Sequence, residues 1–292
     1  MNIAIFGRSF EEDARDYIQL LFDELRKLDA KVSILESYSH YLLKNINISL
    51  PYTTYSHYEE LVGNFDFVFC IGGDGTILNA VTYVRDSGIP ILGINTGRLG
   101  FMATISKTQI QKTLYQIING KYRLEERTLI SITNHSEIFK DQNFAINEVT
   151  INRKDTTSMI SVMTLVDGNY LNTYWADGLI IATPTGSTGY SLSCGGPIVM
   201  PGSQNFVITP IAPHNLNVRP LVIGDHNEIR IKVSGRTENF LVGMDSRIYT
   251  LDTGSELIIK KADFTIKMLI PNNHDFASTL RNKLLWGLDR RN

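Results

Sequence analysis

Apolar positions follow two rhythms along the chain. Over roughly the first 120 residues, short unbroken apolar runs alternate with stretches of helical period; from there to about residue 270, short runs divided by turn signals dominate. Ile3 to Phe6 predict a buried strand that breaks at Gly7. Ser9 with Glu12 predicts a capping box for the next helix, whose Ala14, Tyr17, Ile18, Leu21, Phe22, Leu25 and Leu28 recur on one face. Val32 to Leu35 predict a second strand. Tyr38 to Tyr58 hold aromatic and polar residues with no firm period and read as a loosely packed connection. Phe65 to Cys70 make a third strand, followed by a helix of about three turns ending at Gly88. Ile89 to Ile94 make a fourth, with Pro90 tolerable at its start, and a helix follows around Thr108 to Asn119.

The second rhythm contains no long amphipathic helix. Its clearest local signal is Val162 to Val166, Asp167-Gly168, then Asn169 to Trp175, a hairpin with a two-residue turn; Leu251 to Ser255 mark another turn. From Asp275 onward, Phe276, Leu280, Leu284, Leu285 and Leu288 form a helical stripe suited to cover the first domain. The expected fold is therefore an α/β N-terminal domain with a parallel sheet (1–120), an all-β, sandwich-like domain (121–270), and a C-terminal helix (271–292) returning to the first domain.

Length and charge narrow the function. The 292 residues suffice for two ordinary domains, and 28 Lys plus Arg against 30 Asp plus Glu leave a net charge of -2. Such a balance gives no electrostatic footprint for nucleic acid or an anionic membrane, so a nucleotide must be held by local groups. Cys70 and Cys194 have no spacing for a disulfide framework or a zinc site, and no apolar run approaches the ~18 residues of a membrane span. A soluble protein of a reducing cytoplasm fits these features.

The chemistry begins at Ile71-Gly72-Gly73-Asp74-Gly75-Thr76, directly after an apolar run and before a helical one. A strand entering a glycine turn and a helix N-terminus is an arrangement that binds phosphates, because the unpaired N–H groups and the helix dipole point at the ligand. Two readings stand for Asp74. It accepts a proton from an alcohol in phosphoryl transfer, or it caps the following helix in an ordinary tight turn. Asn95-Thr96-Gly97-Arg98-Leu99-Gly100-Phe101 supply a second glycine turn at a strand end, on the same sheet edge as the first. Phe101 stacks on a base or plugs the domain. Similar glycine loops occur in phosphofructokinases and diacylglycerol-type lipid kinases, so this loop alone names no acceptor.

Two further features are unlike ordinary core. Asn147-Glu148 place an amide and a carboxylate at the head of a strand. A long block, Asp177 to Pro197, is dense in small and hydroxylated residues that let backbone approach a ligand while hydroxyls satisfy its polar edges. In this order, Gly72 to Thr76, Asn95 with Gly97 and Leu99-Gly100-Phe101, Asn147-Glu148, Asp177 to Pro197, Ile211 to His214 and Arg219-Pro220 resemble the NAD kinase family. Thr183-Pro184-Thr185-Gly186-Ser187-Thr188 is the most specific part.

That resemblance implies transfer of the terminal phosphate of ATP to the 2'-hydroxyl of the adenosine ribose of NAD, forming NADP, with Asp74 as general base. It implies a phosphate loop of Gly72, Gly73, Gly75 and Thr76. It also implies NAD contacts from Asp74, Gly75, Phe101, Asn147, Glu148, Asp177, Thr188, Gly189, Tyr190, Ser191, Leu192, Ser193 and Ala212. A divalent cation, Mg2+ arriving with ATP, an interdomain cleft, and a homo-oligomer, dimer or tetramer, are expected with it. Position 189 is Gly where Ala is more usual; no role is transferred to Trp175 or Arg247, and His214 is structural or lies near the phosphates. The rival readings are a dinucleotide sensor without chemistry, which has no need of Asp74, and a lipid kinase, which has no need of the block from Thr183 to Pro197.

Overall fold

The computed structural model describes residues 1–97, 100–103, 105–155, 158–272 and 274–286; Arg98, Leu99 and Leu288 of the motifs above lie outside them. In chain order the first elements are β1 (Asn2–Gly7), α1 (Arg15–Lys27), β2 (Lys31–Leu35), α2 (Glu36–Asn45), β3 (Tyr52–Tyr55), β4 (Phe67–Ile71), α3 (Asp74–Val84), β5 (Ile91–Asn95), β6 (Ile105–Ser106) and α4 (Ile110–Ile118). There follow β7 (Tyr122–Ile132), α5 (Ser136–Phe139), β8 (Phe144–Ala145), β9 (Glu148–Arg153), β10 (Ile160–Val166), β11 (Asn169–Ala176), β12 (Gly178–Ala182) and α6 (Tyr190–Ser193). The last are β13 (Asn205–Ile211), β14 (Leu221–Gly224), β15 (Ile229–Ser234), β16 (Asn239–Met244), β17 (Arg247–Asp252), β18 (Glu256–Pro271) and α7 (Phe276–Leu284). Two compact units result, Met1–Glu126 with Ile266–Asn292, and Arg127–Thr265, with boundaries inside β7 and β18.

The first unit is an α/β layer. Its strands run β18-β5-β4-β1-β2-β3, and the pairs within it are parallel. Fully buried runs such as Val68 to Ile71 and Ile91 to Asn95 explain why these strands read as unbroken apolar stretches instead of alternating ones. The chain passes from β1 outward to β2 and β3, then returns to the other side of β1 for β4 and β5. That reversal makes a switch point between β1 and β4, where α/β sheets bind ligands at the carboxyl ends of their strands. The C-terminal helix α7 belongs to this unit, as its stripe predicts; Leu280 is buried, Leu284 is half-buried and Leu285 is exposed.

Three local expectations are corrected. Tyr38 to Tyr58 are ordered as α2 and β3, because Tyr38 packs so tightly on β1 that a Cβ on Gly7 would lie 2.5 Å from its ring, and the Tyr55 hydroxyl donates to the Ile5 carbonyl. Tertiary burial of aromatic rings replaces the missing period. Ser9 caps no helix: a 3-10 turn begins at Glu12 behind Glu11, without a side-chain cap. The helix after the glycine loop stops at Val84, where Arg85 takes φ 49°, and Gly88 belongs to the following turn.

The second unit is an antiparallel sandwich. One sheet runs β14-β13-β12-β9-β16-β17; β10 and β11 lie beside β15 in the other, which continues to β18. Between them pack Val149, Ile151, Val162, Leu179, Phe206 and Phe240, all buried. The expected hairpin is present, with Asp167 at φ 49° and Gly168 at φ 77°, a turn whose twist matches that of its strands.

Candidate functional site

In the first unit, the site grows from the carboxyl ends of β1, β4 and β5. β4 delivers Gly72, whose φ of 150° favours glycine and whose Cβ, if present, would lie 2.2 Å from the Thr76 hydroxyl oxygen. Gly73 precedes the first turn of α3, and Gly73 and Gly75 are exposed, leaving their backbone open to a ligand. A cavity of about 320 Å³ lies at this edge, lined by Ser9, Phe10, Glu11, Gly73, Asn95, Thr96 and Gly97. Ser9 to Glu11 were missed as lining residues; the register of β1 on β4, Gly7 beside Ile71, is what puts them next to the loop.

Asp74 caps no part of its own helix. Its Oδ2 accepts the Phe101 N–H at 2.8 Å, and its Oδ1 accepts those of Met102 at 3.0 Å and Ala103 at 2.8 Å. The carboxylate therefore clasps the second glycine turn, and Gly100 is required by that closeness: a Cβ there would fall 1.9 Å from Oδ1. Asn95 shapes the same turn by accepting the Gly97 N–H at 2.8 Å. Three bonds leave a carboxylate, with about four acceptor positions, room for one more donor. The Phe101 ring packs 6.4 Å from that of Phe276.

In the second unit, Asn147 and Glu148 stand at the head of β9, held from outside the motif. Asp245, in the two-residue turn between β16 and β17, accepts the N–H groups of Ile146 at 3.0 Å, Asn147 at 2.8 Å and Glu148 at 3.3 Å. Its φ of 53° is unusual for a residue with a side chain, and the Asp at a two-residue turn was the available sequence signal. Thr183 adds a second brace, its hydroxyl donating to the Ile146 carbonyl at 2.5 Å and its N–H to that of Asn147 at 2.9 Å. Asn147 Oδ1 and Glu148 Oε2 are then buried with no hydrogen-bond partner. Buried polar atoms of this kind await a hydrogen-bond partner. Burial, helped by the Asp245 charge, pushes the Glu148 carboxyl up to about 8. Burial raises Asp245 as well, but its three N–H bonds oppose this, so Glu148 is the carboxyl that takes the proton.

The hydroxyl-rich block lies close by. Gly189 approaches Glu148, since a Cβ on it would stand 3.2 Å from Oε2, so the glycine leaves space beside that oxygen. Thr188 donates to the Thr185 carbonyl and Ser191 exchanges a hydrogen bond with Thr209; Ser191 is buried, whereas Ser193 is exposed and Leu192 half-buried. Asp177 and Ala212 sit at the other end of β12, where the Asp177 N–H reaches the Ile211 carbonyl and Ala212 takes φ 43°. The block runs back along β12, so Tyr190, 43% exposed, comes within electrostatic reach of Asp177, which adds to the upward push of burial and Cys194 on its phenol. His214 rests on Trp175, with ring centres 4.5 Å apart. Arg247 gives its guanidinium to the carbonyls of Gln142 and Phe144 and so staples the turn before Asn147.

Residues 15–122 match the ATP-NAD kinase N-terminal domain family, and residues 146–270 match the ATP-NAD kinase C-terminal domain family. The NAD kinase of Flavobacterium psychrophilum is 52% identical over 294 residues, covering all of both chains. The chain belongs to the ATP-NAD kinase family. The NAD kinase of Bacteroides fragilis is 42% identical over 291 residues, again across both whole chains. An NAD kinase from Archaeoglobus fulgidus, solved in complex with ATP, superposes with a TM-score of 0.75 at 26% identity, covering 98% of this chain and 99% of that one. Yeast NADH kinase complexed with NADH shares the fold, with a TM-score of 0.85 at 24% identity over 99% of this chain and 89% of that one. As a member of the ATP-NAD kinase family the chain is a phosphotransferase, and its activity is ATP-dependent phosphorylation of NAD.

Proposed function

We propose that Asp74 accepts the proton of the 2'-hydroxyl of the adenosine ribose of NAD as the terminal phosphate of ATP is transferred to that oxygen. The observation that carries this reading is the clasp of three backbone N–H groups on a half-buried carboxylate at the carboxyl edge of the parallel sheet. It holds both oxygens in place and leaves an acceptor position for a hydroxyl, the geometry that general-base assistance requires. The P–O bond to the ADP leaving group breaks, the new bond forms at the ribose oxygen, and the proton passes to Asp74.

The cavity lined by Ser9, Glu11, Gly73, Asn95 and Gly97 takes the phosphates of ATP against the first turn of α3. Glu11 is the carboxylate of that cavity that would share a divalent cation, Mg2+, carried in by the phosphates, and such a cation would supply charge neutralisation at the transferring group. Asn147 and Glu148 bind hydroxyl and amide groups of the dinucleotide, and the unpartnered Asn147 Oδ1 and Glu148 Oε2 support this. Asp177, Thr188, Gly189, Tyr190, Ser193 and Ala212 complete the NAD contacts of the second unit. A homo-oligomer, dimer or tetramer, in the cytoplasm belongs to the same reading; light scattering on the purified chain tests its size. Among the described residues no helix is long and apolar enough to cross a membrane.

The test of the base is Asp74→Asn. Its expected result is retained NAD binding with turnover reduced about 10² to 10⁴-fold. Full turnover removes Asp74 from this role.

A further inference from the structure

The C-terminal helix is a feature that the chemistry described so far leaves unused, and it meets the site through one side chain. Phe101 gives its backbone N–H to Asp74, while its ring lies 6.4 Å from that of Phe276, and the Lys283 ammonium sits 5.7 Å from the centre of the Phe101 ring. An ammonium at that distance is attracted to an aromatic face. The helix that brings these two groups is itself anchored. Asp275 caps it by accepting the Ser278 N–H at 2.8 Å, the His274 carbonyl accepts from Arg123 at 2.9 Å, and Thr279 and Leu280 are buried.

Among the described residues, the turn around Phe101 is tied by its bonds to Asp74, by the Gly97 N–H to Asn95, by the Asn95 side-chain amide to the Ala103 carbonyl at 3.4 Å and by the Gly100 N–H to that carbonyl at 3.3 Å. Phe101 is only half-buried, so its ring needs an outside contact to hold one rotamer. We propose that α7 positions the acceptor side of the active site: Phe276 and Lys283 hold the Phe101 ring, and that ring sets the turn whose amides aim the Asp74 carboxylate. Phe276 is thus a positioning residue acting through Phe101. The proposal rests on the reading of Asp74 as the base. It differs from a purely covering role for α7, under which the deeply buried Leu280 would be the sensitive position.

The full chain tests this with Phe276→Ala, Phe276→Tyr, Lys283→Gln and Leu280→Ala, each examined by thermal melting and by steady-state kinetics in which NAD and ATP are varied separately. Phe276→Ala is expected to lower kcat about 10-fold or more with the KM for ATP within about twofold, and Phe276→Tyr to recover most of that loss. Lys283→Gln, a surface change that cannot unfold the chain by opening a cavity, is expected to lower kcat about two- to threefold with Tm unchanged. Leu280→Ala is expected to lower Tm at least as far as Phe276→Ala while keeping most of kcat. Unchanged kcat in both Phe276→Ala and Lys283→Gln overturns the proposal, as does a loss of kcat in Leu280→Ala equal to that in Phe276→Ala. A double variant separates this from the base: in an Asp74→Asn background, Phe276→Ala should add little further loss. Full turnover of Asp74→Asn alone defeats the base reading, whereas the single Phe276→Ala result still decides whether α7 acts on turnover.

Discussion

Gly100→Ala probes the clasp around Asp74 without touching either of its oxygens chemically. The added methyl carbon would sit 1.9 Å from Asp74 Oδ1, 2.5 Å from Cγ and 2.7 Å from Oδ2. Ordinary contact asks for roughly 1.5 Å more. The carboxylate cannot retreat with its helix, because Ile77, Ala80, Val81 and Val84 anchor α3 in the core. Asp74 must swing away, or the turn must open, and either movement breaks the bonds from Phe101, Met102 and Ala103. Hydrogen bonds to a charged group are each worth a net of about 1.5 to 3 kcal/mol, and relaxation of the turn that restores one or two of the three leaves a loss of about 2 to 4 kcal/mol. For a chain of 292 residues that corresponds to a fall in Tm of roughly 3 to 7 °C. Turnover should fall about 10²-fold or more, because the base no longer stands at the hydroxyl. The assay pairs thermal melting with a coupled measurement of NADP at saturating NAD and ATP. Gly97→Ala serves as the melting control, since among the described residues no atom beyond its chain neighbours lies within 4 Å of a Cβ built there. A Gly100→Ala protein that melts with the wild type and turns over within twofold of it refutes the clasp.

Asp245→Asn leaves one acceptor where three N–H groups converge, so Asn147 and Glu148 lose their aim. Titration calorimetry should show NAD binding weakened about 10-fold or more, with the KM for ATP held, and equal NAD affinity would count against Asp245 as their support. Glu148 links the site to pH. Its carboxyl is raised from 4.5 to about 8, so the folded protein binds the extra proton between those values, and stability falls as pH rises through that window. Glu148→Gln removes the linkage: relative to wild type it should gain stability from pH 5 toward pH 8.5, on the order of 4 kcal/mol at the top. Denaturant unfolding at the two pH values measures it, and parallel curves for both proteins would mean that Glu148 is not the buried acid.

How much of this was legible in the residues depended on whether local chemistry or tertiary contact decided the outcome. The Asp167-Gly168 hairpin was readable because two positive φ angles in a two-residue turn select those residue types locally. The glycine loop was readable for a related reason: Gly72 and the helix start after it are local demands. The segment from Tyr38 to Tyr58 was not, since α2 and β3 are stabilised by rings buried against β1, far away in the chain. Ser9 looked like a cap because Ser-x-x-Glu fits one, yet the first turn starts beyond it and Ser9 faces the cavity at the glycine loop. The largest omission was Asp245. It stands about a hundred residues from the Asn147-Glu148 pair that it holds, and no spacing rule connects them. The Asp74 side chain was recognised as special, while its partners at Phe101, Met102 and Ala103 emerged only from the fold.

The central claim, that Asp74 takes the proton during transfer to NAD, is tested most directly by one coupled assay. Purified wild type and Asp74→Asn are supplied with NAD, ATP and Mg2+, NADP is read through an NADP-specific dehydrogenase, and NAD binding is measured on the same preparations. The predicted result is NADP from the wild type and turnover about 10² to 10⁴-fold lower from a variant that still binds NAD. NADP formed at equal rates by both proteins would contradict it.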